Sequence, residues 1–251
     1  MAKDQSTPSR LTKAERKEQA RRERVELQRK MARARRNRRI LLVLTTLVVA
    51  AVVAFTVTRP STAIANPGDL LAQVEDATRS AGCGQVRDAG TYQPEVQDRA
   101  HVGVGATMPP LSRYATVPPA SGPHNPSPLG AGVYSTPPQV DRAIHSLEHG
   151  AAIVWYSPDV SGEELDRLTA FYDQNAEAGS RVIVAPYDYP DQGAAGQLPA
   201  GTQMALVAWH HIEDCASVNL AAAFDFTARY AAPPFGSQQY LGDAPEAGAG
   251  I

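Results

Sequence analysis

Apolar positions fall into compact blocks separated by polar and proline-rich stretches. The longest, "ILLVLTTLVVAAVVAFTVT" (residues 40–58), contains no charge. Three shorter runs, "AAIVWY" (151–156), "RVIVAPY" (181–187) and "TQMALVAWHH" (202–211), have the length and β-branched content of buried strands. Helical spacing appears in four other segments. "DLLAQVEDATRSAGCG" places Leu70, Leu71, Val74 and Ala77 on one face, with Gly82 and Gly84 to stop it. "TPPQVDRAIHSLEHG" opens on a proline pair and closes on Gly150. In "SGEELDRLTAFYDQNAEAGS", Ser161 suits the cap, and Glu163 and Glu164 suit the positive helix end. "SVNLAAAFDFTARY" ends at "AAPP".

The order β-α-β-β-α predicts an α+β domain: a small mixed β-sheet with flanking helices. The right-handed crossover rule makes its first two strands parallel. Residues 85–138 carry no clear period, and 109–138 hold nine of the 20 prolines. A proline-rich irregular arm wrapping the core is expected there. The expected organisation is a basic arm (1–39), a transmembrane helix (40–58), a linker (59–68), the α+β domain (69–234) and a flexible Gly/Ala-rich tail (235–251).

Charge sharpens the membrane reading. The net charge of −2 hides 15 basic and 5 acidic residues in 1–39, against 9 and 21 in the remainder. As a helix the apolar run spans roughly 29 Å, close to a hydrocarbon core of about 30 Å. "RARRNRR" (33–39) precedes it and only Arg59 directly follows, so the positive-inside bias sets the N-terminus in the cytoplasm and the acidic part outside. "AIA" (63–65) also resembles a signal-peptide cleavage site. The run is longer than a signal core and 39 residues precede it, which favours an uncleaved anchor. The basic arm has no interleaved aromatic residue, which favours contact with anionic lipid over nucleic acid. Cys83 and Cys215 are the only cysteines, and outside the membrane they form one disulfide.

Candidate chemistry centres on "HSLEHG" (145–150). His145, Glu148 and His149 spell H-x-x-E-H, a zinc-hydrolase pattern. At 100° per residue Val140, Ala143, Ile144 and Leu147 form the apolar stripe, while His145 and His149 lie about 40° apart on the opposite side. A histidine in a last helical turn is favourable by itself; a glutamate there is not. Glu148 therefore needs a partner: a histidine, an arginine such as Arg142 or Arg113, or a metal-organised network. His124 in the stiff loop "PPASGPHNP" could reach the same face, and His101 in "HVGVG" lies further upstream. His124, His145 and His149 with Glu148 suit Zn(II) or Cu(II). The other readings are a hydrogen-bonded structural network in an envelope or interaction domain, and a hydrolase. The hydrolase lacks a third ligand on a later helix. No catalytic residue and no protein partner can be assigned from these motifs.

"PPASGPHNP", "GVYSTPP", "HSLEHGAAIVWY" and "VIVAPY", in that order, resemble a bacterial family of membrane-anchored proteins, a domain of unknown function. The resemblance covers roughly 82–230. His101, Tyr114, Ser121, Gly122, Pro123, His124, Tyr134, His145, Glu148, His149, Gly150 and Trp155 match its signature. Ala120 departs from it, replacing the usual Thr. The resemblance implies the architecture and the grouping of these polar residues, and no activity.

Overall fold

A computed structural model describes residues 74–103, 105–175, 181–233 and 240–251. The chain divides into two units, 1–61 and 62–251, and all described residues belong to the second. The basic arm, the apolar run 40–58, the linker and Leu70–Leu71 lie outside the described residues. Among the described residues no helix is long and apolar enough to cross a membrane.

The fold is α+β. Its elements are α1 (Val74–Ser80), β1 (Arg87–Asp88), β2 (Gly132–Val133), α2 (Val140–Glu148), β3 (Ala152–Tyr156), α3 (Glu163–Asn175), β4 (Val182–Pro186), β5 (Met204–Ala208), β6 (His211–Cys215) and α4 (Leu220–Tyr230). The six strands form one mixed sheet in the order β1-β6-β5-β3-β4-β2. β3 and β4 are parallel, as the crossover rule requires, while β5 and β6 run antiparallel to their neighbours.

β3, β4 and β5 are buried at every position because both sheet faces are covered. Val154, Val184 and Leu206 face α3 and α4, packing on Leu168, Phe171 and Phe226. Ile153, Trp155, Ile183 and Val207 face the other way, toward Ile144 and Leu147 of α2 and Leu111 and Tyr114 of the arm. The period of two sorts these residues onto the two faces. α4 starts at Asn219, whose side chain accepts from the backbone N–H groups of Ala221 and Ala222. Cys83 and Cys215 form the disulfide.

Two expectations need correction. The run 202–211 is not one strand: the chain turns at Trp209–His210, pairs Ala208 with His211 and returns as β6. His210 takes a left-handed conformation there (φ 59°) without the glycine that usually marks such a turn. The tail is also not free along 240–251. Leu241 N–H donates to Arg229 O, and Glu246 N–H to Glu148 O. Ala244 and Ile251 pack against the core on the α2 side. These backbone pairings, together with the Glu246 carboxylate described below, fix a segment whose composition alone gives no packing signal.

Candidate metal centre

α2 is amphipathic by sequence but buried nearly all round. Ala143, Ile144 and Leu147 face the sheet, yet His145 (3% exposed), Glu148 (1%) and His149 (8%) are also covered. The proline-rich arm does the covering. Leu129 N–H donates to Ser146 Oγ at 2.8 Å, Arg142 donates to Pro128 O at 2.6 Å, and Asn125 pairs with Asp141. These contacts lay the loop carrying His124 across the polar face of the helix.

The loop is itself held. Asp98 accepts from Ser121 Oγ and Tyr92 N–H, both at 2.6 Å, and its second oxygen meets His210 Nε2 at 2.8 Å. Burial raises the Asp98 pKa, but His210, Ser121 and Tyr92 more than offset this and hold it low. The same pairing with Asp98 raises that of His210. His210 therefore fastens the hairpin turn to the arm and does not join the other imidazoles. Tyr114 OH donates to Pro123 O at 2.5 Å. Next to these anchors Val102 N–H donates to His124 O and His124 N–H to Ala100 O, a short parallel bridge that sets His101 beside His124.

The result is a tight cluster. One ligand atom from each of His101, His124, His145 and Glu148 lies within 4.8 Å of all the others. His101 stacks on His145 with centroids 4.8 Å apart, and His124 meets His145 edge-on at 4.9 Å. His124 thus lies well inside the reach of a single ion. His149 stands just outside this group of four, its Nε2 2.8 Å from His145 Nε2 and 3.3 Å from Glu246 Oε2.

Hydrogen-bond partners fix the proton positions. Nδ1 of His124 faces Gly122 O, Nδ1 of His145 faces Asn125 O, and Nδ1 of His149 faces Gly250 O, each at 2.7 Å. A carbonyl only accepts, so each Nδ1 carries the hydrogen. In a neutral ring that leaves Nε2 as a lone pair. All three Nε2 lone pairs therefore point inward, where ligands to a metal point. For His145, burial and the neighbouring imidazoles favour the neutral ring against the opposing effect of Asn125 O.

Glu148 supplies the negative charge. Its Oε1 accepts from Arg99 Nε at 2.8 Å, and Arg99 also reaches Glu246 on the tail at 3.2 Å. Its Oε2 lies 3.0 Å from His124 Nε2 and 3.5 Å from His101 Nε2. The closer approach is out of line for a hydrogen bond: His124 Nε2 and Glu148 Oε2 are both buried without one. Burial pushes the Glu148 carboxyl up, but the positive form of the His124 ring and the Arg99 guanidinium more than reverse this and hold it at about 2. It is a carboxylate at neutral pH.

Sequence reasoning placed His124, His145, His149 and Glu148 in one neighbourhood, and they are there. It noted His101 without adding it to the ligand set. It offered Glu148 a histidine, an arginine such as Arg142 or Arg113, or a metal-organised network; the arginine is Arg99, and His124 and His101 lie beside the other oxygen. Arg99 and Glu246 lie on aperiodic segments, and no sequence signal points to them. Cys83, Cys215 and Glu213 also lie close together, but the two sulfurs are bonded to each other and are not thiolate ligands.

Comparison with curated proteins and with solved structures returns no match. A family model described as "Protein of unknown function (DUF3105)" matches residues 110–243, more than half of the chain and all of α2 to α4. The chain belongs to the DUF3105 family.

Proposed function

We propose that this domain binds one transition-metal ion, Zn(II) or Cu(II), through His101, His124, His145 and Glu148, and serves as a metal-binding accessory domain. The observation that carries the reading is the pair of buried atoms, His124 Nε2 and Glu148 Oε2, that face each other at 3.0 Å with no hydrogen bond. Two acceptors confined this closely repel unless a proton or a cation lies between them. Three imidazoles, of which His124 and His145 are pinned through Nδ1, and one carboxylate match the donor set of a zinc or copper site. His149 and Glu246 flank this set, and His149 is the next imidazole available to the ion.

A second reading has its own support. Arg99 already pairs with Glu148 at 2.8 Å, so the same residues can serve as a purely structural network in an envelope or interaction domain. The H-x-x-E-H hydrolase reading has less support. Its glutamate must act on a metal-bound water, but Glu148 is 1% exposed and its Oε1 is tied to Arg99. We also propose a single membrane anchor at 40–58 with the domain outside the cell. The uncharged run and the opposite charge of its two flanks support that placement.

Metal stoichiometry decides between the first two readings. The full chain, purified without a histidine tag and dialysed against Zn(II) or Cu(II), should retain one equivalent. His124→Ala and His145→Ala should retain none, whereas His211→Ala should match the parent. Absence of retained metal in the parent chain assigns the cluster to structure.

A further inference from the structure

The disulfide lies on the opposite sheet face from the histidine cluster. Cys215 is fully buried there, packed among residues that contact α3 and α4. Cys83 is only half-buried and lines an open pocket of about 670 Å³ between α1, β6 and α4. An incoming thiolate can therefore reach one sulfur, Cys83 Sγ, and the leaving sulfur is Cys215 Sγ.

Glu213 lines the same pocket. It sits two residues before Cys215 on β6, so both side chains project to one face. A carboxylate oxygen of Glu213 lies within 4.8 Å of both sulfurs. The residue is 7% exposed, and no hydrogen bond to its side chain is made among the described residues. A disulfide that only staples the fold needs no such acid beside it. The charged and titratable groups around it are Asp225, Arg229 and Tyr230 from α4 and Glu75 and Arg79 from α1; Asp214 on its own strand pairs with Arg87. Burial first, then the charges of Asp225 and Asp214, push the Glu213 carboxyl up to about 7 against the pull of Arg229.

We propose that Cys83–Cys215 is a thiol–disulfide exchange site for a dithiol partner, with Glu213 as the proton donor to the leaving sulfur. The partner thiolate attacks Cys83 Sγ. The S–S bond breaks, its electron pair leaves on Cys215 Sγ, and the Glu213 carboxyl proton passes to that sulfur. The partner's second thiol gives its proton to water, and the resulting thiolate attacks the partner sulfur in the mixed disulfide and releases the Cys83 thiolate, which takes a proton from water. Two electrons move from the dithiol to the protein, and Glu213 is reprotonated by solvent. This site is independent of the metal centre.

The test is reduction of the full chain by dithiothreitol, with EDTA present, from pH 6 to pH 9. Aliquots are alkylated and read by intact mass. Once corrected for dithiothreitol ionisation, the rate per thiolate should fall at least tenfold across the range as Glu213 loses its proton, a modest share of the 10²–10⁴ typical of general acids. Glu213→Gln should be at least tenfold slower at pH 6, with a flat profile. Asp225→Asn removes a negative neighbour, so its falling limb should move to lower pH, and this variant decides the matter if Glu213→Gln does not fold. A flat parent profile, the same slope in Glu213→Gln, or reduction only at the rate of global unfolding would overturn the proposal.

Discussion

His145 and His149 turn their Nε2 atoms toward each other at 2.8 Å, while each Nδ1 is held by a backbone carbonyl. Two neutral rings in these tautomers present lone pair to lone pair. The contact is favourable when one ring takes up a proton or when a cation draws one of the rings away.

Metal affinity should therefore compete with protons. Ligand imidazoles bind only when neutral, so Zn(II) affinity should weaken as pH falls through the ordinary histidine range near ~6.5. Isothermal titration at pH 7.5 and pH 5.5 checks this, and equal affinities would count against imidazole ligands.

Glu148 should carry acid stability in the metal-free chain. Its carboxyl drops from 4.5 in a free chain to about 2 when folded. A depressed carboxylate contributes stability that is present above the unfolded value and is lost as pH falls from about 4.5 through about 2. The shift corresponds to about 3 kcal/mol as an upper figure. In EDTA, Glu148→Gln should lose part of the parent's acid transition between about pH 4.5 and pH 2, measured by urea unfolding, and an unchanged acid transition would count against this.

Glu213 should behave with the opposite sign. Its folded value of about 7 exceeds 4.5, so the folded state holds the extra proton. Stability is full below about pH 4.5 and falls as pH rises through about 7. Glu213→Gln should match the parent near pH 4.5 and exceed it at pH 8.5 by up to about 3 kcal/mol. A variant no more stable at pH 8.5 refutes this.

Gly122 should be intolerant of a side chain. Its φ is 120°, and an added Cβ would lie 2.8 Å from the Tyr114 ring. Gly122→Ala should cost about 2 kcal/mol or more. Because the Gly122 carbonyl orients His124, metal binding should weaken with it. Normal stability with normal metal binding would show that the loop yields easily.

The three central strands and the four helices were legible because their periods are strong. Helix α2 was legible in only one respect. Its wheel separates the Ile144–Leu147 stripe from the His145–His149 face, but a wheel cannot show that a proline-rich arm buries the second face as well. The hairpin at Trp209–His210 was missed because His210 adopts a left-handed conformation normally signalled by glycine or asparagine. Arg99 and Glu246 were missed for a different reason. They meet across 147 positions through aperiodic backbone, where only the folded chain brings them together.

That long reach also sets an order of assembly. The carbonyl that orients His149 belongs to Gly250, 101 positions downstream, and the carboxylate bridged to Arg99 belongs to Glu246. A chain emerging from the ribosome has His101, His124, His145 and Glu148 in hand long before these last contacts exist. The complete cluster therefore closes only after 101 further positions have followed His149 out of the ribosome, and its geometry is set by contacts of long sequence separation rather than by helix α2 alone.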